Sequence, residues 1–547
     1  MIFKDIEQIK DELFMVICKE FPSVSIRRDE IQIDRPRNIQ FGDLSTNISM
    51  QLTKSLGIPP LSIAEKICSR LINPGFEYSF IKPGFINIRF KDDYIFSSLL
   101  EIIASGAGFF STDLGSGSRV QLEFISANPT GPLNIVNARA AAVGDVLGRL
   151  FRRFGYYVEN EYYINDAGNQ VELLAKSVEL AITGGREKRD EFPEDYYCGD
   201  YIFTIADTLK DGYNALPSSE RFDFIRDRSL EYILQNQRDS VKRYGVEFNS
   251  WFSEKALSSE GKQEEALNIL RDKDLIYDKD GAVWIKTTEL GDSQDWVLIK
   301  SDGSYTYLMG DIAYHLNKFE RGFSKAINLW GPDHQAGVTR LKAALTAFGI
   351  PRDWLEVLII QQVNLIRGGE KLKVSKRKGI FETLDRLIEE VGTDGARFTF
   401  LLRTVSSHLD FDIDLVKEQK SENPVFYIQY MHARLSSIFR KASEDGINFN
   451  PTSLIPEQIV NDETRDLFRK VFEYPLVLYS ALNSREPSRL TNFAMELSDS
   501  FHSFYHQYRI ITENPAETNS RLVICKVMQV IIRDILELTG VTAPDKM

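Results

Sequence analysis

The middle of the chain switches between two spacings of apolar residues, and the switch predicts alternating strands and helices. The segments Val120–Ile125 and Tyr157–Tyr163 are rich in aliphatic and aromatic residues and are typical of strands. Between them apolar residues recur every three or four positions from about Ala138, and Gly155 is well placed to end a helix. The apolar face of this predicted helix comprises Val143, Leu147, Leu150, Phe151 and Phe154.

A second unit of the same kind follows later in the chain. The pattern predicts a strand at Ala326–Trp330, a helix at Val338–Phe348 closed by Gly349, and a strand at Leu355–Val363. Two strand–helix–strand units imply a parallel sheet that binds its ligands at the carboxyl edge. The stretch between the units, about residues 170–300, is predicted to be an insertion of helices with some β structure.

The two ends of the chain have different patterns. Residues 1–110 combine helical segments with short β-like runs such as Phe85–Ile88, which predicts a small α/β domain. The Gly- and Ser-rich stretch from Gly106 to Gly117 is the best candidate for a linker. After about Phe426 strands disappear and an all-α bundle is predicted. Its four helices are predicted at 428–442, 462–481, 490–508 and 521–538.

Composition places the chain among soluble globular proteins. It has 547 residues, 43% hydrophobic and 27% charged, and a net charge of −13, which argues against a protein that coats nucleic acid. Apolar runs stay short of the ~20 residues of a membrane span, and Lys4, Asp5 and Glu7 argue against a secretory leader. The four cysteines are scattered, so no zinc site or disulfide framework is indicated and a reducing, cytosolic setting is the simplest interpretation.

Two segments have the chemistry of phosphate binding. The turn Asn128–Gly131 leads from a strand into a helix N-terminus, which favours an anion, although such a turn can also be purely structural. The loop Arg367–Gly379 contains six cations, one acid and three glycines, and follows a strand of the second unit. Such a loop suits closure over a triphosphate, whereas an isolated run of charge is more often a solvated surface.

Two further groups could bind the rest of a substrate. Asp311 near Tyr307, with Glu123 on the first strand, could hold a cationic substrate, although each acid could equally belong to a structural ion pair. Gly331, Asp333 and His334 directly follow the strand at 326–330, where an acid suits a ribose hydroxyl pair. A lone histidine is more often structural.

Together these pieces resemble the arginyl-tRNA synthetases, a family of class I aminoacyl-tRNA synthetases, over essentially the whole chain. Ser126–Leu133 resembles the family's signature before its HIGH motif, and Lys373–Arg377 resembles its KMSKS loop with Val in place of Met. The other motifs that carry the resemblance are Phe41–Asp43 with Thr46 and Asn47, Lys82–Asn87, Asn423–Tyr430, His432–Arg434 and Gly540–Met547.

The resemblance implies an α/β protein in which a Rossmann-like catalytic domain (118–420) with an insertion lies between an N-terminal tRNA-binding domain (1–110) and an all-α anticodon-binding domain (426–547). It implies a cytoplasmic, monomeric enzyme, with no membrane partner, that activates L-arginine with ATP and Mg²⁺ and transfers it to tRNA(Arg). Glu123, Asn128, Tyr307 and Asp311 map to arginine recognition. The nucleotide side maps to Gly131, Pro132, Leu133, Asn134, Asn137, Gly331, Asp333, His334, Val374, Ser375 and Lys376; the catalytic residues map to Asn134, Asn137, Lys373 and Lys376.

The chain departs from the family at 134–137. The family usually has His-Val-Gly-His or a close relative there, whereas this chain has Asn134, Ile135, Val136 and Asn137. An asparagine can still donate a hydrogen bond, so one hypothesis is a working ligase with compensated donors. The alternatives are a catalytically inactive relative that only binds tRNA, and an adenylylating transferase that acts without RNA.

Overall fold

The computed structural model describes residues 2–36, 38–372, 383–453 and 464–547. Its N-terminal part is a three-stranded antiparallel sheet of order β1-β3-β2 with helices packed against it. Gly57 has a φ of 65°, so α2 ends there in a left-handed turn, and α3 starts at Pro60, since proline suits the first position of a helix. The elements are α1 (Ile2–Glu20), β1 (Leu44–Thr46), α2 (Ile48–Leu56), α3 (Pro60–Cys68), β2 (Phe76–Ile81), β3 (Phe85–Phe90) and α4 (Asp92–Ser105).

The predicted linker is a packed segment in the structure. Gly106–Phe110 forms a 3-10 turn, and the buried Phe110 ring lies edge-on 4.8 Å from the centre of the Tyr474 ring. By length and composition alone, the helical stretch Asp92–Phe110 could cross a membrane, a test that core helices of soluble proteins also pass. Leu99 and Ile102 of α4 are fully buried.

The middle of the chain is built on five parallel strands in the order β11-β10-β4-β5-β6. Helix α5 begins three residues before its predicted start because Asn134 caps it. The elements are β4 (Arg119–Glu123), α5 (Ile135–Arg153), β5 (Tyr157–Ile164), α6 (Asn169–Gly184), α7 (Asp200–Ala215), α8 (Ser218–Arg243), β6 (Ser250–Ser253), α9 (Glu254–Ser259), α10 (Lys262–Asp272), β7 (Ile276–Lys279), β8 (Ala282–Ile285), β9 (Trp296–Ile299), α11 (Tyr307–Glu320), β10 (Lys325–Trp330), α12 (Gly337–Thr346), β11 (Leu355–Ile359), β12 (Val363–Arg367), β13 (Glu370–Lys371), α13 (Leu384–Phe400), β14 (Leu409–Asp412) and α14 (Ile413–Lys417).

The single strand predicted for Leu355–Val363 is wrong, because two strands occupy this stretch. The N–H of Ile360 still donates to the carbonyl of Trp330 (2.8 Å), but that of Gln361 donates to Val405 (3.2 Å). The chain thus leaves the main sheet, and β12 belongs to a second sheet of order β13-β12-β14.

The predicted insertion at 170–300 is mostly helical, yet it also supplies a strand of the main sheet. β6 pairs in parallel with β5 and forms one edge of that sheet. Helices α6 to α8 enclose a core of their own, whereas β7, β8 and β9 form a separate antiparallel sheet. The fully buried residues of the helical core include Leu174, Ala175, Val178, Ile202, Ile205 and Ile225.

The C-terminal part is the predicted helical bundle. Two arginines, one on α5 and one on α13, join it to the middle of the chain. Arg153, in the last turn of α5, lies 2.5 Å from the buried Asp534 carboxylate. Arg397 of α13 is fully buried, pairs with Asp145 of α5 and donates to the carbonyl of Thr539 (3.0 Å). The bundle consists of α15 (Pro424–Glu444), α16 (Arg465–Ser484), α17 (Ser488–Gln507) and α18 (Pro515–Thr539).

Candidate active site

The chain leaves β4 through a strained turn at the carboxyl edge of the sheet. Ile125 and Ser126 have φ values of 70° and 42°, and such left-handed conformations cost about 1–3 kcal/mol each in residues other than glycine. Ser126 Oγ donates to Glu123 Oε1 (3.2 Å) and accepts from the N–H of Tyr163 (3.2 Å). The turn therefore redirects the chain over the sheet edge and also fixes the carboxylate of Glu123.

The next residues form the predicted turn, and the helical insertion holds it from one side. Tyr201 of α7 donates to the carbonyl of Thr130 (2.8 Å), and Gln237 of α8 donates to that of Gly131 (2.8 Å). Asn128 itself is exposed, so its side chain remains accessible at the sheet edge.

Helix α5 begins with a reciprocal asparagine cap. Asn134 Oδ1 accepts the N–H groups of Val136 (2.9 Å) and Asn137 (3.1 Å), and Asn137 Oδ1 accepts that of Asn134 (3.0 Å). Side-chain oxygens thus occupy three backbone N–H groups at the end of the helix that attracts anions. Among the described residues, neither asparagine's amide nitrogen has a hydrogen-bond partner, so these nitrogens carry the available donors.

Glu123 lies in a buried polar chain. Its Oε2 is 2.6 Å from Lys318 Nζ, which also donates to Asn328 Oδ1 (3.0 Å). Asn328 donates in turn to Nε2 of His315 (2.8 Å), and burial lowers the pKa of that imidazole well below its usual value. The protein itself therefore neutralises Glu123, one of the predicted arginine ligands.

A pair of acids with raised pKa lies beside this chain. Burial and the nearby charge of Glu123 raise the pKa of Asp311 to about 7. Burial and the charge of Asp166 raise the pKa of Glu254 to about 7, although a hydrogen bond from Tyr163 opposes the rise. Across the described ranges neither Asp311 nor Glu254 forms an ion pair, and Glu254 Oε2 is buried without a hydrogen-bond partner. This pocket is suited to a cation that brings several N–H donors.

Sequence reasoning missed Glu254. It follows directly after β6, whose four residues Ser250–Ser253 show no clear strand period. An acid that follows a parallel strand lies at the carboxyl edge, as Glu123 does at the end of β4. The signal for Glu254 is therefore its position directly after a strand of the main sheet. That position follows from the pairing of β6 with β5, which the local sequence pattern does not show.

Tyr307 begins α11, one turn before Asp311, and 79% of its surface is exposed. Gly331, Asp333 and His334 follow β10, which pairs in parallel with β4, so they lie at the same sheet edge as Glu123. Asp333 and His334 are exposed, and within the described part of the chain the Asp333 carboxylate has no hydrogen-bond or ion-pair partner.

The predicted loop residues Lys373, Val374, Ser375 and Lys376 lie outside the described residues. The chain on both sides of them is held in place. Before them, the N–H of Leu372 donates to the carbonyl of Leu365 (2.9 Å). After them, the N–H of Leu384 donates to the carbonyl of Leu133 (2.8 Å), which places the first residue of α13 beside the start of α5.

Comparison with known proteins gives relatives that match the whole chain. The arginine–tRNA ligase 1 of Halalkalibacterium halodurans is 40% identical over an alignment of 554 residues that covers 99% of both chains. The arginine–tRNA ligase of Geobacillus kaustophilus is 40% identical over 549 residues, again 99% of both chains. The chain belongs to the arginyl-tRNA synthetase family.

Family models match three successive parts of the chain. They describe an arginyl tRNA synthetase N terminal domain (6–90), a class I (R) tRNA synthetase catalytic domain (205–398) and a DALR anticodon binding domain (428–547). The Thermus thermophilus arginyl-tRNA synthetase shares the fold, with a TM-score of 0.78 over 99% of both chains at 19% identity. The predicted family and fold class are confirmed, while the domain limits 1–110, 118–420 and 426–547 stay predictions.

Proposed function

We propose that this chain binds L-arginine between Asp311 and Glu254, activates it with ATP and transfers it to the 3′-terminal ribose of tRNA(Arg). The predicted function, arginine–tRNA ligase, is confirmed by relatives of that name at 40% identity over the whole chain. The observation that supports the location is the pair of acids with pKa values of about 7 and no ion pair at contact distance within the described ranges; Arg340 and Lys318 lower the pKa of Asp311 only from farther away. Burying an uncompensated negative charge is costly, and a bound guanidinium would remove that cost.

The two acids would also select arginine over lysine. Guanidinium is a planar fork of five N–H donors that can reach two carboxylates, and each charge-assisted hydrogen bond contributes about 1.5–3 kcal/mol. An ammonium is a compact charge without that fork, so binding alone would discriminate and no editing domain is needed. Exposed Tyr307 would cover the guanidinium face, and Asn128 would accept from the substrate. Glu123 would act through its charge, because its oxygens already contact Lys318 and Ser126.

The nucleotide would lie across the same sheet edge. Asp333 is free to accept from ribose hydroxyls, with Gly331 and His334 beside it, and Gly131, Pro132 and Leu133 would line the other side. We expect the amide nitrogens of Asn134 and Asn137 to donate to phosphate oxygens. The lysine loop, through Lys373, Val374, Ser375 and Lys376, would neutralise the triphosphate. Mg²⁺ would arrive with ATP, and the described ranges contain no group of three or more potential metal ligands among His, Cys, Asp and Glu.

The reaction then has two steps. A carboxylate oxygen of arginine attacks the α-phosphorus, the bond to the bridging oxygen breaks, and pyrophosphate leaves with that electron pair. The terminal ribose hydroxyl next attacks the carbonyl carbon of the adenylate and loses its proton, the bond from that carbon to the phosphate oxygen breaks, and AMP leaves with the electron pair. Asn134 and Asn137 would stabilise charge on the phosphate with neutral donors, and losing one such donor costs about 2.7–4 kcal/mol in the transition state. Unlike imidazole, these amides do not titrate near neutral pH.

The test is ATP–pyrophosphate exchange with arginine, with and without tRNA(Arg), followed by transfer of labelled arginine to the tRNA. We expect exchange and transfer with arginine and neither with lysine. No exchange in the presence of tRNA would identify an inactive RNA-binding relative, and exchange without any transfer would identify an adenylylating transferase. We also expect the protein to be cytoplasmic and monomeric. Sedimentation tests the second expectation, since a monomer has a mass of 62.6 kDa.

A further inference from the structure

A single buried amide on α8 holds both sides of the turn that follows β4. Gln237 is fully buried, and its Nε2 donates to the carbonyls of Asn128 (3.2 Å) and Gly131 (2.8 Å). Its Oε1 accepts from the hydroxyl of Tyr162 (2.9 Å). Both N–H groups and the oxygen are therefore used, a combination that only a primary amide supplies.

One turn further along α8, a second group of contacts reaches the start of α13. Ser240 Oγ lies 2.8 Å from Asp385 Oδ2 and 2.9 Å from the carbonyl of Asn236, to either of which it can donate. Arg243 Nη2 lies 2.6 Å from Asp385 Oδ1. Asp385 is in the first turn of α13, just beyond the lysine loop, where the N–H of Leu384 donates to Leu133.

Helix α8 thus connects the turn at 128–131 to Asp385 at the start of α13 over a rise of about 5–9 Å. This end of α8 is packed into the main core through the buried Val241 and Tyr244, so the two contacts lie on one packed helical segment and should move together. We propose that Gln237 is a positioning residue that sets the turn at 128–131 relative to the start of α13, so that the carboxylate of arginine meets the triphosphate in line. This inference rests on the proposed function.

The physical consequence of losing the amide is a misplaced turn. Two backbone carbonyls would lose their shared donor, and Asn128 and Leu133 would shift together. A misplacement of about 1 Å can lower a rate about 100-fold while binding changes less. The effect should therefore fall on kcat more than on the KM of either small substrate.

The test uses the full-length chain with Gln237→Glu, Gln237→Met and, as matched control, Gln235→Glu. Gln235 is on the same helix, but it is exposed and its amide donates to the nearby Asp239 (3.0 Å). Arginine-dependent exchange is measured at saturating arginine and ATP with tRNA(Arg), and each variant's melting temperature is recorded. At pH 8 we expect kcat to fall about 100-fold in both Gln237 variants and to stay unchanged in the control.

The pH profile separates positioning from general damage. A carboxylate at 237 cannot donate to the two carbonyls, whereas its protonated form donates one hydrogen bond. The ratio of kcat for Gln237→Glu to kcat for the wild type should therefore rise as pH falls, and that for Gln237→Met should stay flat. Wild-type kcat in Gln237→Glu, or a loss without recovery at low pH, overturns the inference. An inactive wild-type protein would instead refute the proposed function.

Discussion

Replacing Glu254 by Gln removes one negative charge from the proposed arginine pocket and leaves the side-chain shape nearly unchanged. A charge-assisted hydrogen bond contributes about 1.5–3 kcal/mol, so the KM for arginine should rise about 10- to 150-fold. The KM for ATP should not change, because the proposed ribose ligand Asp333 follows β10, away from Glu254 at the end of β6. The KM values are measured by arginine-dependent ATP–pyrophosphate exchange with tRNA(Arg).

The pH dependence of arginine binding makes the same test sharper. Asp311 and Glu254 both have pKa values of about 7, and guanidinium favours both in the ionised form. As pH falls below 7, arginine must displace two protons, so its KM should rise by up to about 100-fold per pH unit. In Glu254→Gln only one proton remains to be displaced. The steepest rise then becomes about tenfold per unit, and it begins at lower pH because the charge of Glu254 helps to raise the pKa of Asp311.

The profile is measured from about pH 5.5 to about pH 8.5. Glu260→Gln is the matched control, since Glu260 is exposed at the end of α9, six residues from Glu254. It should leave both the arginine KM and its pH dependence unchanged. An unaltered arginine KM in Glu254→Gln, or a pH slope equal to that of the wild type, would falsify the two-acid pocket.

Three other substitutions test separate parts of the structure. Asp311→Ala should raise the arginine KM at least tenfold, because each lost charge-assisted bond contributes about 1.5–3 kcal/mol, and should have little effect on the ATP KM. An unchanged arginine KM in the exchange assay removes Asp311 from the pocket. Asn134→Ala should lower kcat about 100- to 1000-fold and cost about 1 kcal/mol of stability, whereas Asn134→Ser should restore the cap but not the rate. Asp534→Ala leaves Arg153 buried without its carboxylate and should cost about 3–5 kcal/mol in urea unfolding. If Asp534→Ala lowered the free energy of unfolding by less than about 1 kcal/mol, the pair Arg153–Asp534 would behave as an exposed ion pair and the reasoning would be refuted.

Most of the fold could be predicted because its long elements have clear periods. Two strand–helix–strand units and four C-terminal helices are found close to their predicted positions. The stretch 355–363, which the pattern predicts as one strand, and the strand at 250–253, which the pattern does not locate within the predicted insertion, are short runs whose partners are distant in the sequence. Pairing, rather than local pattern, decides which sheet each one joins.

The candidate site could be predicted only in part, and for related reasons. Asp311 and Tyr307 are close in sequence and share a helix, so spacing places them together. Glu254 and Lys318 reach the same pocket from separate elements, and no local pattern could show that Lys318 neutralises Glu123. The asparagine cap at 134 was visible in principle, because capping residues three positions apart at a helix start are a known signal.

The arginines that join α5 and α13 to the last helix limit how the protein can be divided. A fragment that ended before α15 would remove Asp534 and the Thr539 carbonyl, which accept from Arg153 and Arg397, and would also expose the apolar core that α5 and α13 share with the bundle. Exchanging the bundle for that of a relative would therefore succeed only where the incoming helix re-creates those two acceptors. Grafting this helical bundle, in nature or in the laboratory, is a problem of matching buried charge before it is one of RNA recognition.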